Sequence, residues 1–116
     1  MPELFPVIPI PAAIADLAWV YILQTADGAL YIGQTRDIGE RLRKHRHGLG
    51  SKFTTDHSGP RLVFCEGTMS LDEAVVREHQ LKRWSRPKKE ALIRGDLPRL
   101  RELSRSRERP GNGARA

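Results

Sequence analysis

Two runs rich in aromatic and β-branched residues, WVYILQT (19–25) and ALYIGQT (29–35), flank the segment Ala26-Asp27-Gly28. Such runs read as strands, and Asp-Gly between them is a strong short-range turn signal, so the chain is committed early to a β-hairpin. The loop length then decides what the hairpin displays. A two-residue Asp-Gly loop puts Tyr21 and Tyr31 on opposite faces, because a one-residue change of register turns every side chain over. A three-residue loop sets residue 25 opposite 29 and residue 23 opposite 31, which brings both tyrosines to one face and requires Gly28 in the left-handed region. The sequence permits either.

The remainder supplies helices and one more strand. DIGERLRKHRHG reads as a helix in which Asp37 and Glu40 form a capping box and Gly48 is the terminator. Residues 49–60 form an irregular basic loop, and RLVFCEG is a short third strand. Ser70 and Glu73 make a second capping box that opens a helix containing LDEAVVREHQLKRW. SRPKKEALIRG follows as a third helix, with Ser85 as cap, Pro87 in the first turn and Gly95 at the end. DLPRLREL adds a short final helix whose Leu97, Leu100 and Leu103 are expected to cover the core. The order strand, strand, helix, strand, helix, helix predicts a small α/β (α+β) domain with a short sheet. Residues 1–17 form a Pro-rich arm, residues 18–103 the folded domain, and residues 104–116 a basic disordered tail.

Composition narrows the setting. A chain of 116 residues accommodates one small domain. No apolar run is long enough to span a membrane, and the first residues lack the basic and uninterrupted apolar regions of a signal peptide. The single cysteine, Cys65, excludes an intrachain disulfide and fits a reducing cytoplasm. It reads as a small hydrophobe within the third strand. A formal charge of +6 favours a polyanionic partner.

Three features break the packing pattern. On the helical wheel Leu71, Ala74, Val75 and Leu81 share a face, and Glu78 falls near its centre, with Lys82 pointing the same way. An unpaired buried carboxylate costs several kcal/mol, roughly, or takes up a proton. Glu78 is therefore paired with a buried cation, bound to a metal or open to a cleft; otherwise the face is only partly covered and Glu78 meets a neighbouring arginine. In the first helix Arg41 and His45 lie one turn apart on the side of Ile38 and Leu42. Arg41 is either the structural counter-ion of Glu78 or a clamp for a phosphate, to which its planar donor fork is suited. His45 alone is equally a satisfied buried histidine, and the tyrosines alone are strand residues that pack their rings and wet their hydroxyls. A zinc set from His45, His47, His57 and Cys65 matches no structural zinc spacing.

Taken in order, VYI, YIG, RDIGERLRKH, GLGSKFT, LVFCE and EAVVREHQLKRWSRPKKEALI resemble the GIY-YIG nuclease superfamily, and most of all its small stand-alone bacterial single-domain group. The resemblance covers roughly residues 18–103 and implies a three-stranded antiparallel sheet flanked by helices. It implies a site in which Tyr21 and Tyr31 are the tyrosines of the two signature halves, Gly33 the signature glycine at a close backbone approach, Arg41 the helix arginine, His45 the position one turn on, and Glu78 the single metal-binding carboxylate. The first half reads WVY in place of GIY, Gln34 stands where some relatives have lysine, and Phe53 and Thr55 stand where close relatives have tyrosine and arginine. An asparagine of relatives is absent around RGDLPRL.

The resemblance further implies a divalent-metal-dependent endonuclease hydrolysing DNA phosphodiester bonds with Mg²⁺ or Mn²⁺, structure-selective and connected with DNA repair or processing. Arg41 would clamp a non-bridging phosphate oxygen, and Tyr31 would serve as base with Tyr21 as supporting donor. A basic apron of Arg43, Lys44, Lys52, Lys82, Arg83, Arg86, Lys88 and Lys89 would hold the DNA backbone, with Arg105, Arg107 and Arg109 as a further basic arm. Nothing resembles a base-reading module, so shape, ends, branches or a partner protein would direct the enzyme. The alternatives are a catalytically silent nucleic-acid-binding domain of the same fold, or an interaction module using the Leu-rich C-terminal segment. Oligomeric state stays open.

Overall fold

The computed structural model describes residues 3–46 and 59–108. The predicted terminator Gly48 and most of the predicted basic loop, with Lys52, His47, His57, Phe53 and Thr55, lie outside these residues. The described elements are β1 (Ala18–Gln24), β2 (Leu30–Thr35), α1 (Ile38–Arg46), β3 (Arg61–Met69), α2 (Leu71–Lys82), α3 (Arg86–Arg94) and α4 (Leu97–Glu108). The chain divides into two compact units, Met1–Lys82 and Arg83–Ala116.

In the first unit the three strands form one antiparallel sheet in the order β2-β1-β3. The hairpin takes the three-residue loop: Leu23 pairs with Tyr31 and Gln24 with Leu30, and the Thr25 amide donates to the Ala29 carbonyl at 3.0 Å. Gly28 lies at φ 91°, the left-handed conformation this loop demands. Asp27 fixes the turn by accepting from the Thr25 hydroxyl at 2.6 Å and the Ala29 amide at 3.2 Å. Trp19, Tyr21 and Leu23 therefore share a face with Tyr31 and Gly33.

That face packs on α1. Tyr21, Leu23, Ile38, Leu42 and Leu62 form its buried cluster, joined by Ile8, Trp19, Tyr31 and Cys65. Helix α1 begins where predicted, with the Glu40 amide donating to Asp37 Oδ1 at 3.0 Å. The reciprocal bond of a full capping box is replaced, since the Asp37 amide donates instead to Thr35 Oγ1 at 3.2 Å. At α2 the box is complete, with Ser70 N to Glu73 Oε1 at 3.0 Å and Glu73 N to Ser70 Oγ at 3.1 Å. Glu66, which pairs in register with Val20, receives Arg77 of α2 through bonds of 2.9 and 3.1 Å. This bidentate pair sets α2 on the Val20–Ile22 side of the sheet, where Ala74 and Leu81 are fully buried.

Residues 3–14 carry no regular element but are tied to the sheet. The buried Gln24 side chain accepts from the Phe5 amide at 2.8 Å and donates to the Glu3 carbonyl at 2.9 Å, and the Ile8 amide donates to the Leu62 carbonyl at 3.0 Å. Pro6, Pro9 and Pro11 have no amide hydrogen, so the arm cannot extend the ladder and is held at these few points, with Phe5 buried.

In the second unit, Ser85 caps α3 by accepting from the Lys88 amide, a proline occupies the first turn, and Gly95 closes the helix at φ 71°. Helix α4 corrects the sequence reading at its C-terminal end. Residues 104–108, expected in a disordered tail, are helical, because once a helix is nucleated each further residue adds a backbone bond without needing a tertiary partner. Leu97, expected to cover a core, is exposed.

Gly33 earns its identity here. A Cβ at this position would collide with Tyr21 Oη and lie 2.6 Å from Tyr21 Cζ. We expect Gly33→Ala to lower stability by about 1–3 kcal/mol, the usual cost of overpacking. Urea denaturation should show this cost shrinking in a Tyr21→Leu background, where the phenol is gone.

Candidate active site

The hairpin register and the missing Cβ at Gly33 let the Tyr21 phenol pack against Gly33 of the edge strand β2. Sequence reading expects a backbone to approach this glycine; the structure brings a phenol ring instead. Tyr21 is only 1% exposed, and its hydroxyl meets no partner of good hydrogen-bond geometry among the described residues. Burial pushes its pKa up to about 12; Arg41 opposes the rise, while Tyr31 and Glu78 add to it. The three side chains that act on this one oxygen come from α1, β2 and α2.

Arg41 and His45 stand one turn apart on α1, as the wheel predicts. His45 is buried, and its ring meets that of Tyr31 edge-on, with centroids 5.4 Å apart and planes at 73°. Burial first, and the neighbouring Arg41 charge second, hold His45 below its usual pKa, so the imidazole is neutral at neutral pH. Arg41 is half-buried and forms no ion pair with a carboxylate among the described residues, so it is not the direct structural counter-ion of Glu78. Its positive charge instead acts on the Tyr21 hydroxyl, opposing the rise in that pKa.

Glu78 resolves differently from its wheel reading. Its side chain is 15% exposed and pairs with Lys82 Nζ of its own helix at 3.1 Å, not with an arginine, while Lys82 itself is 51% exposed. A pair this open contributes at most about 1 kcal/mol, and the lysine stem is long enough to turn away to water. Among the described residues there is no group of three or more His, Cys, Asp or Glu able to enclose a metal ion. A lone, nearly buried carboxylate fits a hard cation of the magnesium type, which keeps most of its waters and takes further oxygens from a phosphate. It does not fit zinc, whose structural sites need four side chains.

The expected basic apron is only partly displayed. Arg43 and Lys44 are exposed on α1, with Arg43 loosely beside Glu40 at 3.9 Å. Arg83 is exposed, and Arg86 is tied to Glu90 at 3.0 Å. Lys89 is half-buried, and burial, followed by the Arg86 charge, lowers its pKa. Lys88 is a correction: it is 8% exposed, with its ammonium 4.2 Å over the Trp84 ring, so it packs within the second unit and is not a surface contact for a phosphate. A cation four residues after a tryptophan on a helix start is the signal that sequence reading passed over. No helix among the described residues is long and apolar enough to cross a membrane.

Comparison with known proteins follows this geometry. The GIY-YIG catalytic domain matches residues 17–91. A UPF0213 protein of Streptococcus pneumoniae is 40% identical over 76 residues, covering 66% of this chain and 77% of the relative. A UPF0213 protein of Staphylococcus aureus is 38% identical over 79 residues, covering 68% and 96%. The solution NMR structure of a UPF0213 protein from Bacillus halodurans is 35% identical, covers 78% of this chain and 95% of its own, and superposes with a TM-score of 0.45. A domain match that spans both tyrosines, Arg41, His45 and Glu78 places this chain in the GIY-YIG family.

Proposed function

We propose that the protein is an endonuclease that hydrolyses phosphodiester bonds in DNA with the help of one divalent cation. The observation that supports this reading is the GIY-YIG catalytic domain match over residues 17–91, which takes in both tyrosines, Arg41, His45 and Glu78. It is joined by the burial of Tyr21, on whose hydroxyl Arg41, Tyr31 and Glu78 act electrostatically. Separately each of these residues has an ordinary structural explanation; side by side they supply a cationic clamp, two phenols and an acidic ligand.

Arg41 holds a non-bridging oxygen of the scissile phosphate, and its grip tightens as negative charge builds in the transition state. Glu78, released from Lys82, holds Mg²⁺ or Mn²⁺, which when bound neutralises charge on the phosphate and the leaving oxygen. The two tyrosines divide the remaining work. Raising the Tyr21 pKa from its ordinary 10.0 to about 12 disfavours its phenolate by about 3 kcal/mol. Tyr21 is thus a neutral hydrogen-bond donor that orients, and the attacking water is activated at Tyr31. His45, neutral and edge-on to Tyr31, fixes that ring and is able to take up its proton. A role in DNA repair or processing, with preference for branches or ends, follows from the likeness to the small family members and from the lack of any base-reading element.

Cleavage of a panel of single-stranded, duplex and branched DNA in Mg²⁺ or Mn²⁺ tests the reading. Glu78→Gln and Arg41→Leu should each slow cleavage by about 10²-fold or more while circular dichroism stays native. Wild-type rates in Glu78→Gln would sink the proposal, and a wild type that binds the panel but cuts none of it would make this a binding domain.

The assignment of Tyr21 has its own check in alkaline titration, since the chain holds two tyrosines. One should ionise near 12, and that step should vanish in Tyr21→Phe. Because the folded pKa lies above the unfolded value of 10.0, the stability tied to this phenol is fully present below pH 10 and is lost as pH rises through about 12. Stability should therefore fall less steeply over that window in Tyr21→Phe.

A further inference from the structure

Charge is divided unevenly along the chain. Residues 83–116 contain eleven Lys and Arg against four Asp and Glu, a balance of +7, while residues 1–82 contain nine against ten, a balance of −1. The unit that carries Tyr21, Arg41 and Glu78 therefore has no net attraction for a polyanion. Long-range attraction must come from the C-terminal unit.

Within that unit a groove of about 410 Å³ runs along α4, lined by Trp84, Leu97, Leu100, Arg101, Ser104 and Arg105. Arg101 and Arg105 stand one turn apart, exposed, and neither forms an ion pair with a described carboxylate. On the same helix Arg99 is neutralised by Glu102 at 3.1 Å. Among the described side chains of α4, the arginines left unpaired are those beside the groove. Lys88 sits over the Trp84 ring without lining the groove, and so holds the indole in one orientation.

An aromatic and aliphatic lining beside two unpaired guanidinium groups has the chemistry of a nucleotide in reverse: a flat apolar base joined to phosphates. Duplex DNA, with its bases stacked inward, would engage the arginines and leave Trp84, Leu97 and Leu100 unused. An unpaired strand engages both. We propose that this groove seats an unpaired nucleotide, with its base against Trp84, Leu97 and Leu100 and its neighbouring phosphates on Arg101 and Arg105. The protein accordingly prefers DNA with a single-stranded end or junction arm. This inference rests on the nucleic-acid reading above and deepens it by naming the substrate feature.

Fluorescence anisotropy with labelled oligonucleotides in EDTA, where cleavage plays no part, separates the two. Wild type should bind a duplex with a short single-stranded overhang about ten-fold more tightly than the same blunt duplex, the effect expected of one stacked base. Trp84→Leu and the double variant Arg101→Gln/Arg105→Gln should abolish that preference, while Trp84→Phe should keep it. The double variant should also flatten the slope of log Kd against log salt by about one unit or more. Its substitutions are on the surface, so it remains informative should Trp84→Leu fail to fold. An overhang preference that survives in the double variant overturns the groove assignment and leaves the nuclease reading standing. Wild type that binds no nucleic acid overturns both. If an acidic amphipathic peptide binds wild type but not the double variant, and the overhang preference is unchanged, the groove belongs to a protein partner and the proposal falls.

Discussion

The contact between the Tyr21 phenol and the bare backbone of Gly33 is the constraint around which the first unit is organised. It exists only because the hairpin turns through three residues, which sets Tyr21 opposite Gly33 and Tyr31 on the same face. With the phenol packed against Gly33, α1 closes over it through Ile38 and Leu42, and the same helix carries His45 against the Tyr31 ring. Burial then makes Tyr21 a poor acid. Packing and chemistry are here one interaction: the glycine that admits the ring also desolvates its hydroxyl.

Around this centre, polar groups are deployed in two ways. Gln24 and the Arg77–Glu66 pair are structural, each satisfied by fixed partners, and they hold the N-terminal arm and α2 to the sheet. Arg41 and Glu78 are different. Arg41 has no carboxylate among the described residues, and Glu78 has a lysine that is half in solvent. A half-buried arginine without a carboxylate partner is the kind of group an incoming phosphate would satisfy.

The uneven charge adds a division of labour. The sheet unit is nearly neutral, whereas the helical unit carries the excess positive charge and an apolar groove. In the proposed reading, grip and cleavage reside on different parts of one short chain.

Much was fixed by local sequence. The Ser70–Glu73 box, the Ser85 cap, Gly95 and the order of elements were legible because capping and turn chemistry act over three or four residues and need no tertiary context. The violation of pattern at Arg41, His45 and Glu78 was legible for the same reason, since helical periodicity alone places them on inner faces. Other features required the folded chain. The choice of a three-residue loop depended on which register lets the phenol pack over Gly33. The burial of Lys88 depended on the position of Trp84, and the pairing of Glu78 with Lys82 on how much of α2 the sheet covers. The anchoring of the arm depended on a glutamine distant in sequence. Local rules fix which conformations a segment prefers; only long-range packing decides which polar groups lose their water, as the Tyr21 phenol does.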